Sequence, residues 1–102
     1  MQTKIFDEID SGVSGRVAFH IAKKIKNIAE SSQVLCITHL AQVASIADTH
    51  IKISKKVSDN RTYTVIDVLD YENRIKEVAA MLSNGNITDA SLSLAKELND
   101  NK

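Results

Sequence analysis

Thr3-Lys4-Ile5-Phe6-Asp7-Glu8-Ile9-Asp10 is the stretch on which the reading of this 102-residue chain turns. An apolar run ends in two adjacent carboxylates, a third comes one residue later, and Ser11-Gly12-Val13-Ser14-Gly15 is next. Successive side chains of a strand point to opposite faces, so neighbouring carboxylates at its end can take different tasks. Asp7 then suits a magnesium ion held through water, and Glu8 suits the polarising of an attacking water. The bland alternative is an acidic turn whose carboxylates sit in solvent or cap the next helix. Context decides between them.

Working outward, Ile5-Phe6 reads as a short buried strand. From about Ser14, a plausible N-cap, the pattern becomes helical, with Val17, Ile21, Ile25 and Ile28 on one stripe flanked by Ala18, Ala22 and Ala29. Lys23, Lys24 and Lys26 lie toward the helix C-terminus, where cations oppose the dipole favourably, and Ser31-Ser32 ends it. Gln33-Val34-Leu35-Cys36-Ile37-Thr38 is an apolar run of strand length, suited to a strand covered on both faces. Strand, helix and strand make a parallel βαβ unit. Asp7-Glu8 and Thr38-His39 then emerge at one edge of the sheet, where open α/β folds bind ligands.

Beyond His39, Leu40, Val43, Ala44 and Ala47 mark a short helix. Ile51, Ile53 and Val57 alternate with polar residues, Ser58-Asp59-Asn60 is a turn cluster, and Thr62 to Leu69 is again β-rich, so a hairpin with one wet face is expected. Asp70 can cap a helix carrying Ile75, Val78, Ala79 and Leu82, which Ser83-Asn84-Gly85-Asn86 breaks. Thr88 can cap a last helix, with Ile87 and Leu92 spaced for a hydrophobic staple, and the tail from Asn99 to Lys102 should fray.

Composition narrows the function classes. Thirteen basic residues balance thirteen acidic ones, so no global field draws the chain to nucleic acid or membrane. A hydrophobic fraction of 43% with 25% charged residues is that of an ordinary globular domain, and this length allows one domain at most. No apolar run reaches the ~18 residues needed to span a bilayer, and the N-terminus lacks a signal-peptide core, so a cytoplasmic protein is expected. Cys36, the single cysteine, reads as a buried inert thiol.

His39 can donate to a phosphate oxygen from the ligand edge, or it can merely cap the next helix. His20 and His50 have no Cys or carboxylate partners at ligand spacing and read as structural. No Gly-x-Ser-x-Gly elbow and no Gly-x-x-x-x-Gly-Lys-Ser/Thr cradle occurs in the sequence. The chain by itself therefore carries no P-loop.

Residues 5–18, Ile5-Phe6-Asp7-Glu8-Ile9-Asp10-Ser11-Gly12-Val13-Ser14-Gly15-Arg16-Val17-Ala18, and residues 33–40, Gln33-Val34-Leu35-Cys36-Ile37-Thr38-His39-Leu40, together resemble the C-terminal end of the RecN family of SMC-like DNA repair ATPases. The resemblance continues through Gln42-Val43-Ala44, the Ser54-Lys55 and Arg61-Thr62 strands and the helix ending Ala80-Met81-Leu82. It implies an α/β fold: the C-terminal portion of a P-loop ATPase head of ABC/SMC type, a parallel βαβ unit followed by a β-hairpin and C-terminal helices, with residues 1–102 one partial domain. Asp7 and Glu8 match the Walker B pair, Asp7 on Mg2+ through water and Glu8 as the catalytic carboxylate. Ser11, Gly12, Val13 and Ser14 match the D-loop at the interface between heads, and His39 matches the switch histidine at the γ-phosphate. Ser14 replaces the aspartate of many ABC proteins, and Ala41 replaces a common proline.

In such proteins the Walker A loop, signature motif and coiled-coil arms precede Walker B, so this chain is expected to be the C-terminal piece of a head. Its implied partners are the N-terminal half of the same head, a second head in an ATP-sandwiched dimer, and DNA through the intact protein, which would be nucleoid-associated. ATP and Mg2+ belong to the intact protein. Alone, the chain should neither bind ATP tightly nor hydrolyse it. The superfamily's strand order also sets the Walker A strand beside the strand ending at Thr38, whose edge is expected to be unpaired here. The alternatives are a non-catalytic interaction module derived from such a head, or a piece of another SMC or ABC ATPase.

Overall fold

The computed structural model describes residues 2–7 and 15–100. The expectations attached to Glu8, Ser11, Gly12, Val13 and Ser14, and to the final two residues, lie outside the described residues. In chain order the elements are β1 (Thr3–Asp7), α1 (Gly15–Ala29), β2 (Gln33–Ile37), α2 (Ala41–Ala44), β3 (Ile51–Ser58), β4 (Arg61–Val68), α3 (Tyr71–Leu82) and α4 (Asp89–Asp100). The fold is mixed α/β, with a parallel pair, an antiparallel hairpin and C-terminal helices.

β1 and β2 pair in parallel from Thr3 opposite Gln33 to Asp7 opposite Ile37. Their inward residues Phe6, Val34 and Cys36 pack with Ala22 and Ile25 of α1 and Val43 of α2 in one core cluster. The expected helix stripe is rotated: Ala18, Ala22 and Ile25 are buried while Val17 is exposed. Coverage on both faces is not observed. Ile5 (67% exposed), Leu35 (49%) and Ile37 (54%) lie open on the other face, since nothing among the described residues packs there. For the same reason β1 is not the buried strand expected. Cys36, although on the inward face, is only half-buried.

A second cluster joins Ala41 of α2 to Ile75, Val78 and Ala79 of α3 and Ala95 of α4. α2 is short, yet it feeds both clusters, with Ala41 in this one and Val43 in the first. Asp70 caps α3 by accepting from the Asn73 amide at 2.9 Å. The helix ends where Asn84 takes φ 53° and the Gly85 amide donates to the Ala80 carbonyl at 2.8 Å, a Schellman closure with asparagine in the left-handed position. Thr88 opens α4 in a reciprocal cap: its hydroxyl accepts from the Ser91 amide at 3.0 Å, and the Ser91 hydroxyl accepts from the Thr88 amide at 2.8 Å. The expected fraying does not begin at Asn99. That residue is buried and helical, and the Tyr71 hydroxyl donates to the Asp100 carboxylate at 3.0 Å, tying the start of α3 to the end of α4.

β3 and β4 pair antiparallel from Ile51 opposite Val68 to Ser58 opposite Arg61. Asp59 and Asn60 close the ribbon at φ 50° and 61°, the two left-handed residues of a type I′ turn. Alternation is as expected, but both faces are wet over most of the length. Ile51, Ile53, Val57, Ile66 and Val68 share the face that nothing among the described residues covers.

Candidate functional site

The site is built from the C-terminal ends of β1 and β2. Their parallel register sets Asp7 opposite Ile37, and His39 lies two residues beyond, so both residues stand at the same end of adjacent strands. Parallel neighbours lie about 4.8 Å apart. Both side chains are exposed at this edge. Ser11, Gly12, Val13, Ser14 and Glu8 cannot be set beside them, lying outside the described residues.

The segment after His39 forms a short helix, as expected. The Leu40 amide donates to the Thr38 hydroxyl at 3.0 Å, turning the chain out of β2. Four consecutive amides, those of Val43 to Ile46, then donate to carbonyls from Leu40 to Val43, and Ala41, Val43, Ala44 and Ser45 are all buried. Beyond α2, Arg74 reaches across from α3. Its Nη1 donates to the Asp48 carbonyl at 3.2 Å, and its Nη2 donates to the carbonyls of Ala47 and of Ser45, the latter at 3.5 Å. A guanidinium at 7% exposure therefore satisfies the carbonyls that leave the short helix. Sequence reasoning passed over Arg74. The signal was present: it precedes Ile75 and stands four residues before Val78, so it falls on the apolar side of α3.

His50, just past this clamp, is the other residue whose environment is informative. Its Nδ1 is shielded from solvent with no hydrogen-bond partner among the described residues. Burial, reinforced by the nearby Arg74 charge, holds its pKa below the ordinary 6.5, with Glu77 opposing. The reading of His50 as structural fits this setting, and His20 is exposed on α1.

A single strand-end carboxylate fits Mg2+ that keeps most of its waters, because such sites use one or two protein carboxylates plus phosphate oxygens. Among the described residues no three His, Cys, Asp or Glu side chains gather into a metal cage. A cavity of about 510 Å3 lies elsewhere, between Phe19 and Lys23 of α1, Ile46, and Leu94 and Leu98 of α4. No helix among the described residues is long and apolar enough to cross a membrane.

Fold and edge together define a mixed α/β segment whose parallel strands deliver Asp7 and His39 to one end. No family model matches the chain. It is homologous to a C-terminal fragment of proteins named DNA repair protein RecN. To the protein of Bacillus subtilis (strain 168) it is 50% identical over 94 residues, which covers 92% of this chain and 16% of the relative. To that of Halalkalibacterium halodurans it is 51% identical over 96 residues, 94% of this chain and 17% of the relative. The Deinococcus radiodurans protein is 43% identical over 94 residues, again 92% and 16%. The chain thus spans 16 to 17% of the length of these relatives.

Proposed function

We propose that this chain is the C-terminal part of the P-loop, ABC/SMC-type ATPase head of a RecN-type protein of DNA double-strand-break repair and recombination. The observation that carries the reading is the parallel register of β1 and β2, which brings Asp7 and His39 to one sheet edge in a chain about half identical to RecN proteins. Asp7 is the Walker B aspartate, turned to Mg2+ through water. Glu8 is the carboxylate that orients the attacking water, and His39 donates to the terminal phosphate as charge builds on it. Ser11 to Ser14 form the loop that meets a second head. The N-terminal half of the head supplies the phosphate-binding loop and most of the affinity for ATP. When bound, Mg2+ would neutralise charge on the phosphates; the chain's own residues would hold the attacking water, through Glu8, and donate a hydrogen bond to a terminal phosphate oxygen, through His39. In the intact cytoplasmic protein, engagement of two heads would be coupled to DNA.

Two features of the fold support completion by further protein. β2 has β1 as its one strand neighbour among the described residues, leaving its other edge for another strand. Ile5, Leu35 and Ile37 form an apolar face ready for cover. The test is reconstitution: the chain is mixed with the separately expressed remainder of the head, and hydrolysis of ATP is measured with and without Mg2+. Restored Mg2+-dependent turnover that Glu8→Gln abolishes is expected. Turnover by the chain alone would overturn the reading, and binding without turnover would favour a non-catalytic interaction module.

A further inference from the structure

The hairpin carries a second surface, unrelated to the Asp7 and His39 edge. Register alternation puts Lys52, Ser54, Lys56 and Ser58 of β3 on one face with Arg61, Tyr63, Val65 and Asp67 of β4. The proximal half of this face is turned toward α3, where Lys52 Nζ meets the Glu77 carboxylate at 2.8 Å. The distal half is open: Lys56, Ser58, Arg61 and Tyr63 are all exposed. Lys52 to Glu77 is the sole salt bridge among the described residues, so Lys56 and Arg61 have no carboxylate partner there. Between Ser54 and Val65 the ribbon bears Lys55, Lys56 and Arg61 against the one carboxylate of Asp59, in a chain that is neutral overall.

The arrangement within that half is specific. Lys56 and Tyr63 are directly opposite, so their Cβ atoms lie about 5 Å apart, and Arg61 is the diagonal neighbour of Lys56, about 7–8 Å away. A phenol ring is thereby bracketed by two unpaired cations on one projecting face. Cations that track a backbone beside an aromatic platform for a base are the two ingredients of single-strand recognition. Lysine on a ribbon also discourages edge pairing, but that role requires neither an arginine nor a ring on the same face.

From this we propose that the distal ribbon face of Lys56, Arg61 and Tyr63 binds single-stranded DNA, the two cations meeting phosphates and the Tyr63 ring stacking on a base. That the nucleic acid is DNA rests on the RecN-type reading above; the geometry of the face does not. The face is an appendage to the fold, so it can be altered without touching the nucleotide site.

The test is fluorescence anisotropy of a labelled oligo-dT of about 15 nucleotides, long enough for the site sizes of single-strand binders, titrated with the chain over a range of salt concentrations. Circular dichroism checks that each variant is folded. Lys56→Ala with Arg61→Ala should weaken binding and flatten the slope of log K against log salt by about 1.4, about 0.7 for each cation released from a single strand. Tyr63→Ala should cost about fivefold or more, and Tyr63→Phe should retain the affinity, because stacking needs the ring and not the hydroxyl. Lys23→Ala with Lys24→Ala on α1, the same loss of charge elsewhere, should leave binding near that of the parent. No binding at low salt, or equal losses for the ribbon and α1 pairs, overturns the proposal. Hydrolysis by the reconstituted head reports separately on the nucleotide site. If it is restored and the ribbon variants leave DNA binding unmoved, this inference falls and the ATPase reading stands.

Discussion

Protonating His50 places a cation next to Arg74 in a partly buried setting, and the fold resists it. The pKa lowered below 6.5 means that the unfolded chain binds this proton more readily than the folded one. Stability from His50 is therefore fully present above about pH 6.5 and is lost as pH falls through the lower folded value. His50→Gln should flatten the fall in urea midpoint between about pH 7.5 and about pH 5, leaving only the contribution of the carboxylates. An unchanged slope would show that the histidine is not the titrating group. Asn84 is informative in another way. It takes the left-handed conformation while the glycine one residue later also has positive φ, at 94°, so the break after α3 is written into two neighbouring residues.

At the scale of elements, the short helix after His39 is the connection on which the two halves depend. α2 is far below the length at which a helix is stable alone, so its four residues persist through burial and through the Arg74 clamp. Arg74→Ala would remove the guanidinium that donates to the carbonyls of Ser45, Ala47 and Asp48 at a part-buried site. A loss on the order of 2–3 kcal/mol is expected, read as a lower urea midpoint. Lys at this position should recover only part of it, since an ammonium cannot spread over three carbonyls as the planar fork does. Amide exchange in residues 41–46 should rise more than in α4, because the clamp acts locally on the segment that carries His39. The ribbon is the opposite case. Its ladder is long and its turn well matched, yet it is held to α3 by one partly exposed ion pair of the kind worth at most about 1 kcal/mol.

For the whole molecule, exposed apolar surface is the dominant fact. Ile5, Leu35 and Ile37 on the parallel pair and Ile51, Ile53, Val57, Ile66 and Val68 on the ribbon make two faces that the described residues leave uncovered, and β2 has no second strand neighbour among those residues. Water penalises such faces by roughly 25 cal/mol per Å2, and open edges recruit other strands. Sedimentation velocity at micromolar concentration should show concentration-dependent association of the isolated chain. Adding the rest of the head should convert it to a defined complex. A monodisperse monomer that melts cooperatively alone would count against the picture of an incomplete head. The same surfaces explain where the strand pattern misleads: an apolar run of strand length implies two covered faces, but cover must come from other residues, and the described ones supply it on one face only.

Much of the architecture was legible in local chemistry. Asp70 and Thr88 are caps because their oxygens reach first-turn amides, Asp59-Asn60 is a turn because both tolerate positive φ, and the period of two in the hairpin and of about 3.6 in α1 separates strand from helix there. Such features need only near neighbours in the chain, so sequence alone determined them. Asp7 and His39 were also legible as candidates, because a βαβ order dictates parallel strands and hence one shared edge. Only the tertiary structure decided that Ala18, Ala22 and Ile25, and not Val17, face the sheet, and that Arg74 is spent inside the fold instead of on its surface. It also decided that Lys56, Arg61 and Tyr63 share an open face. Those outcomes depend on which distant surfaces meet, and packing between residues far apart in the chain leaves no period along it.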